Sequence, residues 1–146
     1  MVLSLGNNLL PVEEVTKLLQ ITPRTLHYYE EIGLVTPTAR TDGGHRLYSK
    51  EAIERFEHIL RLKGTLSYTL KEIREILEAE DTFDRLRTAY NTATVLRKKE
   101  ILTQSIHLMS DLLETIQVKK QQLITMEEQF SARLTRLHNA MQELED

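Results

Sequence analysis

The sequence predicts a mainly α-helical protein in two parts: a compact N-terminal half of short helices with one small β-hairpin, and a long C-terminal helix built to pair. Two observations carry that expectation. All five glycines and all three prolines lie at or before Gly64, so residues 65–146 contain no breaker and should be almost entirely helical. Apolar residues then recur in alternating steps of four and three from Val95 to Leu144, the pattern of a heptad seam.

The elements follow in order. Val12, Val15, Leu18 and Leu19 have helical spacing and predict a helix from about Pro11 to Leu19. Thr22-Pro23 is a start signal, a threonine cap followed by proline at the first helical position. The helix it opens runs to about Ile32 and stops at Gly33. Only Gln20-Ile21-Thr22 separates the two helices, which is helix-turn-helix spacing. Asp42-Gly43 between short flanks predicts a hairpin, read as a small two-stranded wing. Ser49 caps a third helix to about Lys63, with Ile53, Phe56, Ile59, Leu60 and Leu62 apolar. Thr69-Leu70-Lys71-Glu72 is a capping box opening a fourth helix that should end near Glu78. A weaker helical stretch, Asp81 to Ala93, carries Phe83, Leu86 and Tyr90. The domain expectation is therefore 1–78 for the compact part, 79–94 for a helical linker and 95–146 for the long helix.

Composition removes many functions. The 146 residues contain no cysteine, which excludes disulfides, zinc-thiolate sites, iron–sulfur clusters and thiol redox switches. The five histidines, His27, His45, His58, His107 and His138, show no metal-ligand spacing on one helix face. No nucleophile–base arrangement, phosphate loop or carboxylate pair stands out, so no enzyme, cofactor or metal site is expected. No run approaches a membrane span, and Met1 to Leu10 lacks the basic start of a signal peptide, so a cytoplasmic protein is expected. The net charge is −3, and residues 1–76 carry ten basic and ten acidic side chains. A nucleic-acid face must therefore come from placement, since bulk charge does not supply it.

The ordered motifs Thr25-Leu26-His27-Tyr28-Tyr29-Glu30, Ile32-Gly33-Leu34, Arg40, Gly44-His45-Arg46-Leu47-Tyr48 and Leu66-Ser67-Tyr68-Thr69-Leu70-Lys71-Glu72-Ile73 resemble the MerR family of bacterial transcription regulators. The resemblance spans roughly Leu10 to Leu77. His27 stands where the family has arginine, His45 where it has an aromatic, and Gln20 and Ser67 where it has glycine. The resemblance implies a winged helix-turn-helix DNA-binding domain, followed by a dimerisation helix that pairs as an antiparallel coiled coil.

Residue chemistry points the same way. Arg24, Thr25, His27 and Tyr28 sit near the N-terminus of the recognition helix, where side chains reach base edges and phosphates. Arg40 and Arg46 flank the wing, and Tyr48, Lys63 and Tyr68 are expected to add flanking contacts. The dimer seam is assigned to Leu102, Ile106, Met109, Leu113, Ile116, Leu123, Phe130, Leu134 and Leu137, interrupted by Lys120 and Glu127. The expected partners are double-stranded promoter DNA and a second copy. RNA polymerase is reached only through DNA distortion, and a small-molecule effector is left open. Many drug-sensing relatives carry a separate effector domain, and none is expected here. The alternative reading is a helical interaction module whose coil recruits another protein.

Overall fold

The computed structural model describes residues 8–146; Met1–Asn7, part of the stretch read for a signal peptide, lie outside them. The order is β1 (Leu10–Pro11), α1 (Val12–Leu19), α2 (Pro23–Glu31), β2 (Ala39–Arg40), β3 (Arg46–Tyr48), α3 (Lys50–Gly64), α4 (Leu70–Tyr90) and α5 (Val95–Glu145). The chain divides into two compact units, Met1–Glu78 and Ala79–Asp146.

The helix starts are set by the residues that signalled them. Thr22 Oγ1 accepts from the Thr25 amide at 3.2 Å, and Pro23 occupies the first turn of α2. Ser49 Oγ accepts from the Ala52 amide at 3.2 Å. Thr69 and Glu72 close a reciprocal capping box, with Thr69 N donating to Glu72 Oε2 at 2.7 Å and Glu72 N to Thr69 Oγ1 at 3.2 Å. Thr94, which the heptad pattern did not single out, caps α5 through the Arg97 amide at 3.3 Å.

Three differences from the sequence expectation are physical. The wing is three-stranded, in the order β1-β3-β2, because Leu10 pairs with Tyr48 and Pro11 with Leu47. A two-residue strand has no alternation to detect. The fourth helix does not stop near Glu78 but runs to Tyr90, since nothing between those residues breaks it. Leu18, placed on the apolar face of α1 by spacing, is 59% exposed, while Thr16 is buried with its hydroxyl bonded to the Glu13 carbonyl.

In the first unit Val15, Leu26, Tyr48, Phe56, Ile59, Ile73 and Leu77 are fully buried. Tyr48 and Phe56 meet edge-on, with centroids 5.7 Å apart. The core thus joins both helices of the turn to the wing strand β3, α3 and α4. In the second unit α5 is one uninterrupted helix of 51 residues, about 75 Å long. Its seam is bare in the single chain: Ile106, Leu113, Phe130 and Leu137 are 57–67% exposed. No helix among the described residues is long and apolar enough to cross a membrane.

Gln20 and Ser67, the two positions where glycine is replaced, are the only non-glycine residues with positive φ among those described, at 57° and 56°. Gln20 ends α1 in the left-handed conformation, with Ile21 N bonded back to the Thr16 carbonyl at 3.0 Å. An L-residue there costs about 1–2 kcal/mol, which glycine escapes. Gln20→Gly is therefore expected to raise stability by about 1 kcal/mol, measured as the urea midpoint at constant m-value; a lowered midpoint would contradict the strain.

Candidate nucleic-acid interface

Gly33, at φ 78°, ends α2, and the chain turns through Leu34 and Val35, both buried, toward the wing. Two arginines from other helices hold this bend. Arg55 Nε donates to the Leu34 carbonyl at 2.8 Å, and the Arg74 guanidinium donates to the Ile32 carbonyl. The wing turns at Gly44, with φ 81°, and Gly44 N and Thr41 N make bonds of 2.8 Å across the loop. Arg40 faces Arg46 across the β2–β3 pair, and Arg40 Nη1 donates to the Gly44 carbonyl at 3.0 Å.

Helix α2 and the wing meet at one carboxylate. Glu30, with its side chain 9% exposed, has Arg46 Nε 2.6 Å from Oε2 and accepts the Tyr48 hydroxyl on Oε1. His27 Nδ1 lies 3.8 Å from the same Oε2. Burial, with the hydrogen bond to Glu30 next in weight, pushes the Tyr48 phenol well above its usual range. Burial, with Tyr28 second, also raises the Tyr29 phenol.

The sequence-predicted residues sort themselves by this geometry. His27, Arg40 and Arg46 line one open cleft of about 390 Å³ between α2 and the wing, together with Glu30, Glu31, Val35, Thr36 and Pro37. Arg24 and Tyr28 are exposed on α2, and the Thr25 hydroxyl lies 3.0 Å from that of Thr22. Lys63 is exposed at the end of α3, outside the cleft.

Two assignments are corrected. Tyr48 is 0% exposed, with its ring against Phe56 and its hydroxyl on Glu30, so it is a core residue that supports the wing. Tyr68 is 6% exposed and packs in the core in the same sense. Glu30 was missed as a site residue. Its signal was the glutamate closing the Thr25–Glu30 motif, an acid among residues chosen for contact with a polyanion.

The comparisons bear on this geometry. A family model described as MerR HTH family regulatory protein matches residues 10–80, the span of the wing, both helices of the turn and the start of α4. The HTH-type transcriptional activator mta of Bacillus subtilis is 37% identical over 105 residues, covering 72% of this chain. The chain belongs to the MerR family. It carries the DNA-binding regulatory domain of that family. The HTH-type transcriptional regulator YfmP of Bacillus subtilis is 29% identical over 120 residues, 77% of this chain and 86% of that protein. The chain spans only 38% of the length of mta. Among solved structures, the N-terminus of MtaN, the Bacillus subtilis multidrug transporter activator, aligns with TM-score 0.45 and 31% identity, over 78% of this chain and 97% of that one.

The Tyr48–Glu30 bond has a pH consequence. Below about pH 10, Tyr48 is protonated in both folded and unfolded chains. Above it the unfolded phenol ionises while the folded one keeps its proton, so stability falls as pH rises. Tyr48→Phe removes that contribution. Wild type is expected to lose stability more steeply than Tyr48→Phe between about pH 9 and pH 12 in urea titrations. Parallel slopes would refute the raised phenol.

Proposed function

We propose that the chain acts as a homodimeric transcription regulator of the MerR type, binding and distorting promoter DNA in the bacterial cytoplasm. The observation that supports this reading most is the shared cleft. It puts His27 of the capped helix α2 beside Arg40 and Arg46 of the wing, so one surface combines a base-reading group with phosphate-gripping groups.

In this reading α2 is the recognition helix, with its N-terminal turn against the duplex. Free amides and the helix dipole there favour a phosphate, and Arg24 adds a full charge. Thr25, His27 and Tyr28 face the groove. The wing arginines grip the flanking backbone, and Arg46, held by Glu30, presents its guanidinium from a fixed position. Two copies joined through the α5 seam bring two recognition helices to successive major grooves of a pseudo-palindromic site. RNA polymerase is affected through the shape of the DNA, whose distortion is offset by wing and backbone contacts. An effector, if the protein uses one, must bind one conformation more tightly than the other.

Arg24→Ala is expected to weaken binding to all sequences alike and to lower the slope of log K against log salt by about one. An unchanged slope in fluorescence anisotropy would remove the phosphate role. His27→Ala is expected to change base preference more than non-specific affinity, read by binding selection from randomised duplexes; equal losses on selected and random DNA would contradict it. Leu113→Asp buries an unpaired charge in the seam. It should leave a monomer in sedimentation at low micromolar concentration, and a persistent dimer would count against the seam.

A further inference from the structure

We infer that Glu30 fixes the tautomer of His27, so that one position of the DNA site is read as cytosine while the imidazole is neutral and as guanine once it is protonated. This rests on the reading of α2 as the recognition helix and adds to it the base that His27 takes.

The ring is held by one edge. The His27 side chain keeps 43% of its surface exposed, yet its Nδ1 is out of solvent and, among the described residues, has no hydrogen-bond partner. Glu30 Oε2 lies 3.8 Å from it, on a side chain only 9% exposed. The exposed part of the ring is therefore the opposite edge, which carries Nε2, and His27 lines the cleft between α2 and the wing. At 3.8 Å the pair interacts by charge, not by a hydrogen bond. A lone pair on Nδ1 would set two electron-rich atoms against each other out of water, whereas an N–H there is attracted to the carboxylate. The neutral ring accordingly carries its proton on Nδ1, and Nε2 is left as an acceptor.

The edge offered to DNA then depends on protonation. Cytosine presents a donor, its N4 amine, in the major groove, and guanine presents only acceptors, N7 and O6. The acceptor Nε2 of the neutral ring matches cytosine. The imidazolium donates from both nitrogens, keeps Nδ1–H toward Glu30 and matches guanine with Nε2–H. Adenine carries one donor and one acceptor and serves either form. Arginine, the family's residue at this position, has donors only and keeps its charge, so the histidine is what makes the reading change. Histidine ordinarily changes charge between about pH 5 and 8. The charged groups that share the cleft with it are Glu30 and Glu31 of α2 and Arg40 and Arg46 of the wing; Tyr48 acts on it through its bond to Glu30. Phosphates attract the imidazolium whatever the base, so total affinity also rises in acid. The ratio between two bases at one position cancels that contribution.

The experiment is binding selection by the full chain from randomised duplexes at about pH 5.5 and about pH 8.5. Fluorescence anisotropy follows on duplexes that differ at the position whose preference His27→Ala abolishes. The guanine-to-cytosine affinity ratio there is expected to rise about 10-fold from the alkaline to the acid condition. A constant ratio, or guanine favoured at alkaline pH, overturns the proposal. His27→Arg is expected to take guanine at both pH values, and a ratio that still moves with pH in this variant would place the switch elsewhere and overturn it too. Glu30→Gln can turn either its oxygen or its amide nitrogen to Nδ1, so a folded Glu30→Gln chain is expected to accept both bases at alkaline pH; retained cytosine preference would remove Glu30 as the positioning residue. A wild-type chain that selects no sequence, or a His27→Ala selection identical to wild type, would remove the base-reading role proposed above. A His27-dependent position that ignores pH removes only the tautomer.

Discussion

The carboxylate of Glu30 is the point on which the surface between α2 and the wing depends. It sits in the last turn of α2 with its side chain almost out of solvent, and a charge in that position is costly unless it is paired and hydrogen-bonded. Arg46 supplies the charge and Tyr48 the hydrogen bond, both from β3. Tyr48 is itself wedged against Phe56 of α3. One side chain therefore joins α2, the wing and the hydrophobic core. The backbone bend after α2 is held by Arg55 and Arg74, whose guanidinium groups donate to the carbonyls of Leu34 and Ile32 just past the end of the helix.

What was legible in the sequence was local chemistry. Thr22-Pro23, Ser49 and the Thr69–Glu72 box start helices where they stand, because a cap bonds to an amide two or three residues away and needs no tertiary context. The long helix α5 was legible because its periodicity survives over six repeats. What was not legible required the fold. Tyr48 and Tyr68 have an apolar ring and a polar tip, so composition alone allows either core or surface; burial decides for the core. The strand at Leu10–Pro11 exists only because Tyr48 and Leu47 lie beside it. Of the elements that line the candidate interface, α2 and the wing hairpin were legible by motif. The glutamate that binds them together was passed over, since an acid is unexpected at a polyanion interface.

Gln20 and Ser67 show how a fold survives the loss of its preferred residue. Both backbones remain left-handed although neither residue is glycine. The surrounding bonds, such as that from Ile21 N to the Thr16 carbonyl, over-determine the turn and hold the strained residue in place. A family pattern of glycines is thus a statement about dihedral angles, and the chain honours the angle while giving up the residue.

The shared carboxylate at Glu30 also has a consequence for how target sites are described. His27, to which the proposed function gives base reading, and Arg46, to which it gives the backbone, both lie within 3.8 Å of the same oxygen. Under the proposed function, a duplex whose groove width displaces the wing also disturbs the side chain assigned to the adjacent base. Energies for base identity and for backbone shape do not add independently in such an arrangement. A scoring matrix that sums separate contributions, position by position, would misrank operators of this protein, and the error would concentrate at the base pairs next to the wing.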